Sequence, residues 1–231
     1  RRGKVLFINA DAEYQAGRAQ NYLLPEHAEK IVNAFRQYVD IPGFAAIVPV
    51  AELQKNDWNL NIRRYADNAP PPEPHDVCAH LAGGVPRAEV EDQSPLFAAH
   101  GFDPKTMLVD RDARYLDFQP DLGTKAEIKA RIEADPAAKA KEALVTAAFE
   151  AWWKRNADRL VRLPETSDLM AVRAEFLKTF VDALVPVGLL DRFQVTGAVA
   201  RWWGEVLFDL KALVVRGFAG VLEGWVTTIV T

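Results

Sequence analysis

Val5-Leu6-Phe7-Ile8-Asn9-Ala10-Asp11 decides how this chain is read. Four apolar residues in a row that stop at a turn-prone Asn-Ala-Asp predict a buried strand followed by a loop. The loop runs from Asp11 to Leu24, long for a connection in an α/β layer, and long loops above a sheet edge commonly carry function. Pro25-Glu26-His27 then sets up a helix, because proline is tolerated in a first turn and an acidic residue there complements the helix dipole. Ile31, Phe35 and Tyr38/Val39 recur at helical spacing and give that helix one apolar face. Gly43 breaks it, Phe44 to Val50 supplies a second apolar strand, and Ala51 to Lys55 is at most a turn and a half of helix. This order predicts a βαβ piece of a sheet, too small to stand alone.

Outward from this start, the 231 residues suffice for one large or two small domains. A hydrophobic content of 49% with 26% charged residues is that of a globular protein. The single cysteine, Cys78, excludes an internal disulfide and points to a cytoplasmic setting. No apolar run approaches the ~20 residues of a membrane helix. The net charge of −4 argues against a polybasic nucleic-acid binder. Its distribution is uneven: residues 1–67 carry nine Lys/Arg against eight Asp/Glu, residues 68–123 four against ten, and residues 124–231 fifteen against fourteen. The acidic middle would repel phosphate and should face away from any DNA.

Within the long loop, Arg18 can meet a phosphate, while Gln20 and Asn21 can pair with a base edge or simply fasten the loop to backbone. In Asn56-Asp57-Trp58-Asn59-Leu60-Asn61-Ile62-Arg63-Arg64-Tyr65, an extended chain would put Asn59 and Asn61 on one side and Leu60 and Ile62 on the other. That predicts a strip anchored by apolar groups and displaying amides, followed by Arg63 and Arg64. The asparagines could equally satisfy buried backbone groups at a domain junction.

Pro70-Pro71-Pro72 and Pro74 read as a stiff connector, and Val77 to Leu81 and Arg87 to Glu91 as short helices. Gly83-Gly84 reads as a helix stop. Met107 to Phe118 is either a small strand pair or coil. His75, His80 and His100 stand at irregular spacings that do not make a zinc set. Cys78 and His80 are two apart on one short helix, where side chains diverge, so no nucleophile and base pair emerges.

Past Thr124 the pattern turns helical. Thr124-Lys125-Ala126-Glu127 has the spacing of a capping box. Pro136 starts a helix through Leu144, Ala148 and Trp152 to Leu160. Pro164-Glu165 restarts another, with Leu169, Val172, Phe176, Phe180 and Leu184 on its apolar face, ended by Pro186 and Gly188. Val195, Val199, Trp202, Val206, Leu210 and Leu213 form a stripe ended by Gly217, and Val221, Leu222, Trp225 and Ile229 a final short one. Helices with brief connections predict a bundle. In Trp152-Trp153 and Trp202-Trp203, neighbours ~100° apart on a helix allow one ring in the core and one at its edge; all four are candidates for a partner interface. Arg155, Arg159 and Arg162 form a basic stripe, either a solvated face or a phosphate track.

Several of these stretches together resemble a known family. Val5-Leu6-Phe7-Ile8-Asn9-Ala10, Gly17-Arg18-Ala19-Gln20-Asn21-Tyr22-Leu23, Pro25-Glu26-His27 with Lys30-Ile31, and the run from Asn56 to Tyr65 look like the modification (M) subunit of type I restriction-modification systems, an adenine-N6 DNA methyltransferase. The likeness is close over the first 67 residues and loose beyond. It implies an α+β, mainly α fold in three parts: residues 1–67 as the C-terminal piece of the catalytic α/β domain, 68–123 as an acidic, proline-containing connector, and 124–231 as a helical domain. It also implies a parent enzyme that uses S-adenosylmethionine and flips the target base, with DNA, a specificity subunit and a restriction subunit as partners, and no membrane.

The family's glycine-rich turn for the methyl donor and its Asn/Asp-Pro-Pro-aromatic turn for adenine are missing. Asn68-Ala69-Pro70-Pro71-Pro72 has an alanine in the way and no aromatic. A chain that starts at Arg1 within a sheet is expected to be a piece of a longer polypeptide, to hold no cofactor and to methylate nothing by itself. Its implied DNA-proximal residues are Arg18, Gln20, Asn21, Asn59, Asn61, Arg63 and Arg64. The competing reading is a self-contained helical interaction module.

Overall fold

A computed structural model describes residues 2–69 and 76–230. Pro70, Pro71, Pro72, Pro74 and His75 of the expected connector lie outside them, as does the side chain of Ile229. The fold is α+β and mainly helical. In chain order it runs β1 (Lys4–Ile8), α1 (Pro25–Gln37), β2 (Ala45–Pro49), α2 (Val50–Lys55), α3 (Val77–Ala82), β3 (Val85–Pro86), α4 (Arg87–Asp92) and α5 (Ser94–His100). It continues with β4 (Leu108–Asp110), β5 (Tyr115–Phe118), α6 (Lys125–Ala134), α7 (Pro136–Val161), α8 (Leu163–Thr166), α9 (Leu169–Leu184) and α10 (Arg192–Val230). No helix among the described residues is long and apolar enough to cross a membrane.

Two compact units divide the chain: Arg1–Pro71 with Lys154–Asp182 and Asp191–Thr231, and Pro72–Trp153 with Ala183–Leu190. The helical stretch 124–231 therefore contributes to both units, and its larger share belongs with residues 1–71.

In the first unit β1 and β2 pair antiparallel, Lys4 opposite Pro49 through Ile8 opposite Ala45. This corrects the βαβ expectation, since a crossover unit would deliver β2 parallel to β1. Successive strand residues point to opposite faces, and both faces are covered. Phe7 and Val48 meet Leu53 of α2 and Tyr65 on one side, with Phe7 and Tyr65 stacked at 4.5 Å. On the other, Leu6 and Ile8 join Ala34 and Ile31 of α1 with Phe44. Double-sided burial explains why Val5 to Ile8 is an unbroken apolar run.

The outer side of α1 is covered by α10. A Cβ at Gly204 would lie 2.8 Å from Pro25 Cγ, and one at Gly197 3.1 Å from Glu26 Cβ, so these two glycines, seven apart on one face, form the notch that receives the start of α1. Arg173 of α9 adds an ion pair to Glu29 at 2.5 Å, with both side chains largely buried. The centre of the helical part is Phe176, Leu163, Val172 and Val195.

The restart at Pro164 produces two helices rather than one. Ser167, in a left-handed conformation, ends the single turn α8, and α9 follows from Leu169. Gly217 (φ 65°) interrupts α10 as expected, and Trp225 Nε1 donates to Asp209 Oδ1 at 3.0 Å to fold the arm 218–230 back on the arm 192–216.

In the second unit the undecided stretch Met107 to Phe118 is a strand pair, β4 with β5, joined by β3 into a sheet ordered β3-β5-β4. Phe102, Met107, Leu108 and Leu122 form its core. The capping box is formed: Thr124 Oγ1 accepts from Glu127 N at 3.3 Å, and Glu127 Oε2 accepts from Thr124 N at 2.8 Å.

Gly204→Ala sets a helix-propensity gain of about 1 kcal/mol against an overpacking cost of about 1–3 kcal/mol. Thermal unfolding should show a net loss. Gly224→Ala, whose added Cβ meets nothing within 4 Å, should raise the melting temperature instead.

Candidate nucleic-acid interface

The long loop is a hairpin fixed at its base and open at its tip. At the base, Asn9 is buried, its N–H donates to Phe44 O at 2.7 Å and its Nδ2 to Ala66 O at 2.8 Å. Glu13 pairs with Lys30 of α1, whose ammonium sits 4.4 Å from the Phe44 ring centroid. Further out, Gln15 and Tyr22 exchange both backbone hydrogen bonds, at 2.8 and 2.9 Å. A Cβ at Gly17 would stand 2.4 Å from Gln20 O and from the Tyr22 ring, so glycine is required for the tip to close.

Arg18, Gln20 and Asn21 occupy that tip, all exposed. None of the three side chains has a hydrogen-bond or ion-pair partner among the described residues. Tyr14 and Tyr22 are about half exposed beside them.

Residues 56–65 are not an extended strip. Helix α2 ends on Asn56, and the two hydrogen bonds of a Schellman stop follow: Trp58 N donates to Leu53 O at 2.8 Å and Asp57 N to Gln54 O at 3.1 Å. Asp57 and Trp58 both take left-handed backbone, φ 53° and 57°, at a cost of about 1–3 kcal/mol each. Asn59 Oδ1 then accepts from Asn61 N at 2.9 Å, and Asn61 Oδ1 from Arg63 N at 3.1 Å, where it caps the 3-10 turn Ile62–Arg64. The amide oxygens expected to face a ligand hold the local backbone instead. Leu60 and Ile62, expected as anchors, are 62% and 41% exposed; the turn defeats the period-2 alternation that an extended chain would have had.

Arg63 and the loop base do come together. Arg63 Nη2 lies 2.7 Å from Asp11 Oδ2, and Asn68 Nδ2 donates to the other oxygen of Asp11. The Arg63 hydrogen bond, aided by Asn68, holds the Asp11 carboxyl below the ordinary carboxylate range. Arg64 Nη1 donates to Asn56 Oδ1 at 3.0 Å. Asp11, Tyr14, Gln15, Arg63 and Asn68 line an open groove of about 690 Å³ between the hairpin and residues 63–69. Asp11 and Tyr65, which organise this site, were not among the sequence candidates; the pairing of Asp11 with a residue 52 positions away leaves no local signal.

Asn68 is bound to Asp11, and Asp67 Oδ1 accepts from Ala69 N at 2.9 Å in an Asx turn. Gly83 caps α3 rather than following a strand. These residues do not fit S-adenosylmethionine. Among the described residues no three His, Cys, Asp or Glu side chains gather as a metal set.

Of the tryptophans, Trp152 and Trp203 are buried at 2% and 3% exposure, and Trp153 and Trp202 lie at the edges. Trp202 stacks on Phe176 at 6.0 Å and Trp203 meets the same ring edge-on at 5.9 Å. In the basic stripe, Arg159 is paired with Glu175 at 2.7 Å.

Residues 1–73, about a third of the chain, match the family described as N-6 DNA methylase. Its relatives are more specific. The chain is 41% identical over 80 residues to the type I restriction enzyme MjaVIII methylase subunit of Methanocaldococcus jannaschii, covering 33% of this chain and 14% of that protein. It is 43% identical over 68 residues to the MjaVII methylase subunit of the same organism, covering 28% and 12%. A crystal structure of the type I restriction-modification methyltransferase subunit from Streptococcus thermophilus is 43% identical over 29% of this chain and 14% of that one, with a TM-score of 0.28. The matched segment is similar to type I restriction enzyme methylase subunits, and it spans about one seventh of the length of these relatives.

Because the folded-state pKa of Asp11 is lowered, its tie to Arg63 and Asn68 is fully present above the unfolded carboxylate value and is lost as pH falls through the lowered one. The protection of amides 11–24, measured against their intrinsic exchange rates at each pH, should therefore fall on acidification below the ordinary carboxylate range. Asp11→Asn should show fast exchange already at neutral pH.

Proposed function

We propose that this chain is a portion of a type I modification subunit in which the hairpin tip contacts DNA during adenine-N6 methylation, while the helical arm 218–230 docks a partner subunit. The observation that carries the first part is the tip itself: a cation and two amides, unpartnered and exposed, on a base fixed by buried hydrogen bonds. A cation with free donors suits a phosphate and free amides suit a base edge. Arg63 and Arg64 extend this surface from the turn beside the loop base. Asn59 and Asn61 support it as backbone fasteners.

The β1–β2 sheet fits a larger catalytic domain. Both of its faces are covered, and the outer edge of β1 has no strand partner among the described residues, whereas that of β2 is closed by Ile41, which exchanges both backbone hydrogen bonds with Ala45, and by Asp40, which accepts from Ile47 N. An unpaired strand edge is a template for further strands. In this reading the remaining strands, the S-adenosylmethionine site and the adenine turn belong to the parent enzyme, in a cytoplasmic complex with a specificity subunit and a restriction subunit. Docking is supported by Phe218, Leu222 and Trp225, which stand at i, i+4 and i+7 on the last arm and are 65%, 41% and 50% exposed. Apolar residues so spaced on one face are the pattern by which a helix is held in a partner's groove.

Duplex DNA binding by the purified chain tests the first part. Arg18→Ala should weaken binding and flatten the dependence of log K on log salt by about one unit. Gln20→Ala with Asn21→Ala should lower affinity at unchanged slope. Affinity and slope equal to wild type in both variants would remove the tip from the DNA surface.

A further inference from the structure

We propose that Trp58 is a stacking platform for an unpaired nucleobase, with Arg64 placed to meet the adjoining phosphate. The proposal deepens the DNA-contacting reading above and rests on it, but it comes from a different feature: an indole displayed by strained backbone. A Schellman stop needs one left-handed residue after the helix. Asp57 supplies it, and a short polar side chain is tolerated there. The second left-handed residue, Trp58, is not required by the motif, and a bulky side chain in that conformation is a genuine outlier. Such outliers persist where the surroundings hold them in place.

Both sides of the turn do so here. Before it, Trp58 N is held by Leu53 O at 2.8 Å, and Leu53 is itself buried under the sheet. After it, the Tyr65 hydroxyl donates to Asn59 O at 2.6 Å, while the Tyr65 ring stacks on Phe7. The backbone that carries the indole is thus tied to the sheet core on either side, and the ring itself remains 57% exposed. A rigid turn that exposes its largest aromatic ring does the opposite of what stability alone would select.

The charge on the same turn indicates what covers the ring. Arg64 is joined to the same turn through Asn56 Oδ1, is exposed, and has no carboxylate partner among the described residues. An exposed ring and an exposed guanidinium carried by one fixed turn match the two parts of a nucleotide: the base face, which any aromatic ring can stack on, and the phosphate. A paired duplex hides its base faces. The ring therefore selects a base that is unpaired or drawn out of the helix.

The test compares wild type, Trp58→Ala, Trp58→Phe and Arg64→Ala in binding single-stranded and fully paired DNA of one sequence. A 2-aminopurine in the single strand reports stacking by its fluorescence. Trp58→Ala should bind the single strand roughly tenfold more weakly with an unchanged salt slope, lose the 2-aminopurine signal, and bind the duplex as wild type does. Trp58→Phe should keep most of both. Arg64→Ala should reduce the salt slope by about one unit on the single strand. If Trp58→Ala matches wild type on single strands while Arg18→Ala still weakens duplex binding, the platform is overturned and the hairpin reading stands. If the wild-type chain binds neither form of DNA, both fall. If Trp58→Ala leaves DNA binding intact but abolishes self-association in sedimentation, the ring belongs to a protein interface and the platform is again overturned.

Discussion

The seating of α1 between the β1–β2 sheet and α10 is the constraint on which the first unit depends. A two-stranded sheet buries too little surface to persist alone, and here it gains a layer on each face. Ile31 and Ala34 of α1 close one face; Leu53 and Tyr65 close the other. The side of α1 turned away from the sheet would remain exposed if α10 did not offer a notch at Gly197 and Gly204 into which Pro25 and Glu26 fit. Glu29 and Arg173 then face each other in a largely buried pair, where loss of either partner would leave the other charge unmatched. The methylase-like segment and the helices 154–182 and 191–231 are in this sense one folding problem.

Much of this was legible in the sequence because it follows from local rules. The strand at Val5–Ile8, the helix at Pro25, the break at Gly217 and the capping box at Thr124 each rest on side-chain chemistry within a few residues, whereas the first helix stops at Gln37, with Tyr38 as a left-handed cap, and not at Gly43. The antiparallel pairing of β2 was not legible, because strand direction is set by how α1 packs and not by the residues of either strand. Nor was the partition of 124–231 between two units, since the glycine notch has meaning only once the residues opposite it are known. The break at Ser167 illustrates the same limit: Pro164 signals a helix start, but nothing at Ser167 announces that the helix ends after one turn.

The run from Asn56 to Tyr65 was misread for a physical reason. Short amide side chains compete with the peptide backbone for hydrogen bonds and so favour turns. A stretch with Asn at 56, 59 and 61 has enough of them to fold on itself, and period-2 reasoning holds only for a chain that stays extended. Once the turn forms, Leu60 and Ile62 lose their common side and the amide oxygens face their own backbone.

The candidate site separates polar groups by whether their bonding capacity is used within the chain. Asn9, Asn59, Asn61 and Asn68 have backbone or carboxylate partners, and Asp11 collects Arg63 and Asn68. Gln20, Asn21 and Arg18 have none among the described residues, although they stand only a few positions from a tightly bonded loop base. Composition cannot draw this distinction, because the two groups are the same residue types in the same stretch. Geometry draws it: the groups already bonded fix the backbone, so a ligand at the tip has the side chains to order but not the loop that carries them. A loop that was loose throughout would have the same residues without that advantage.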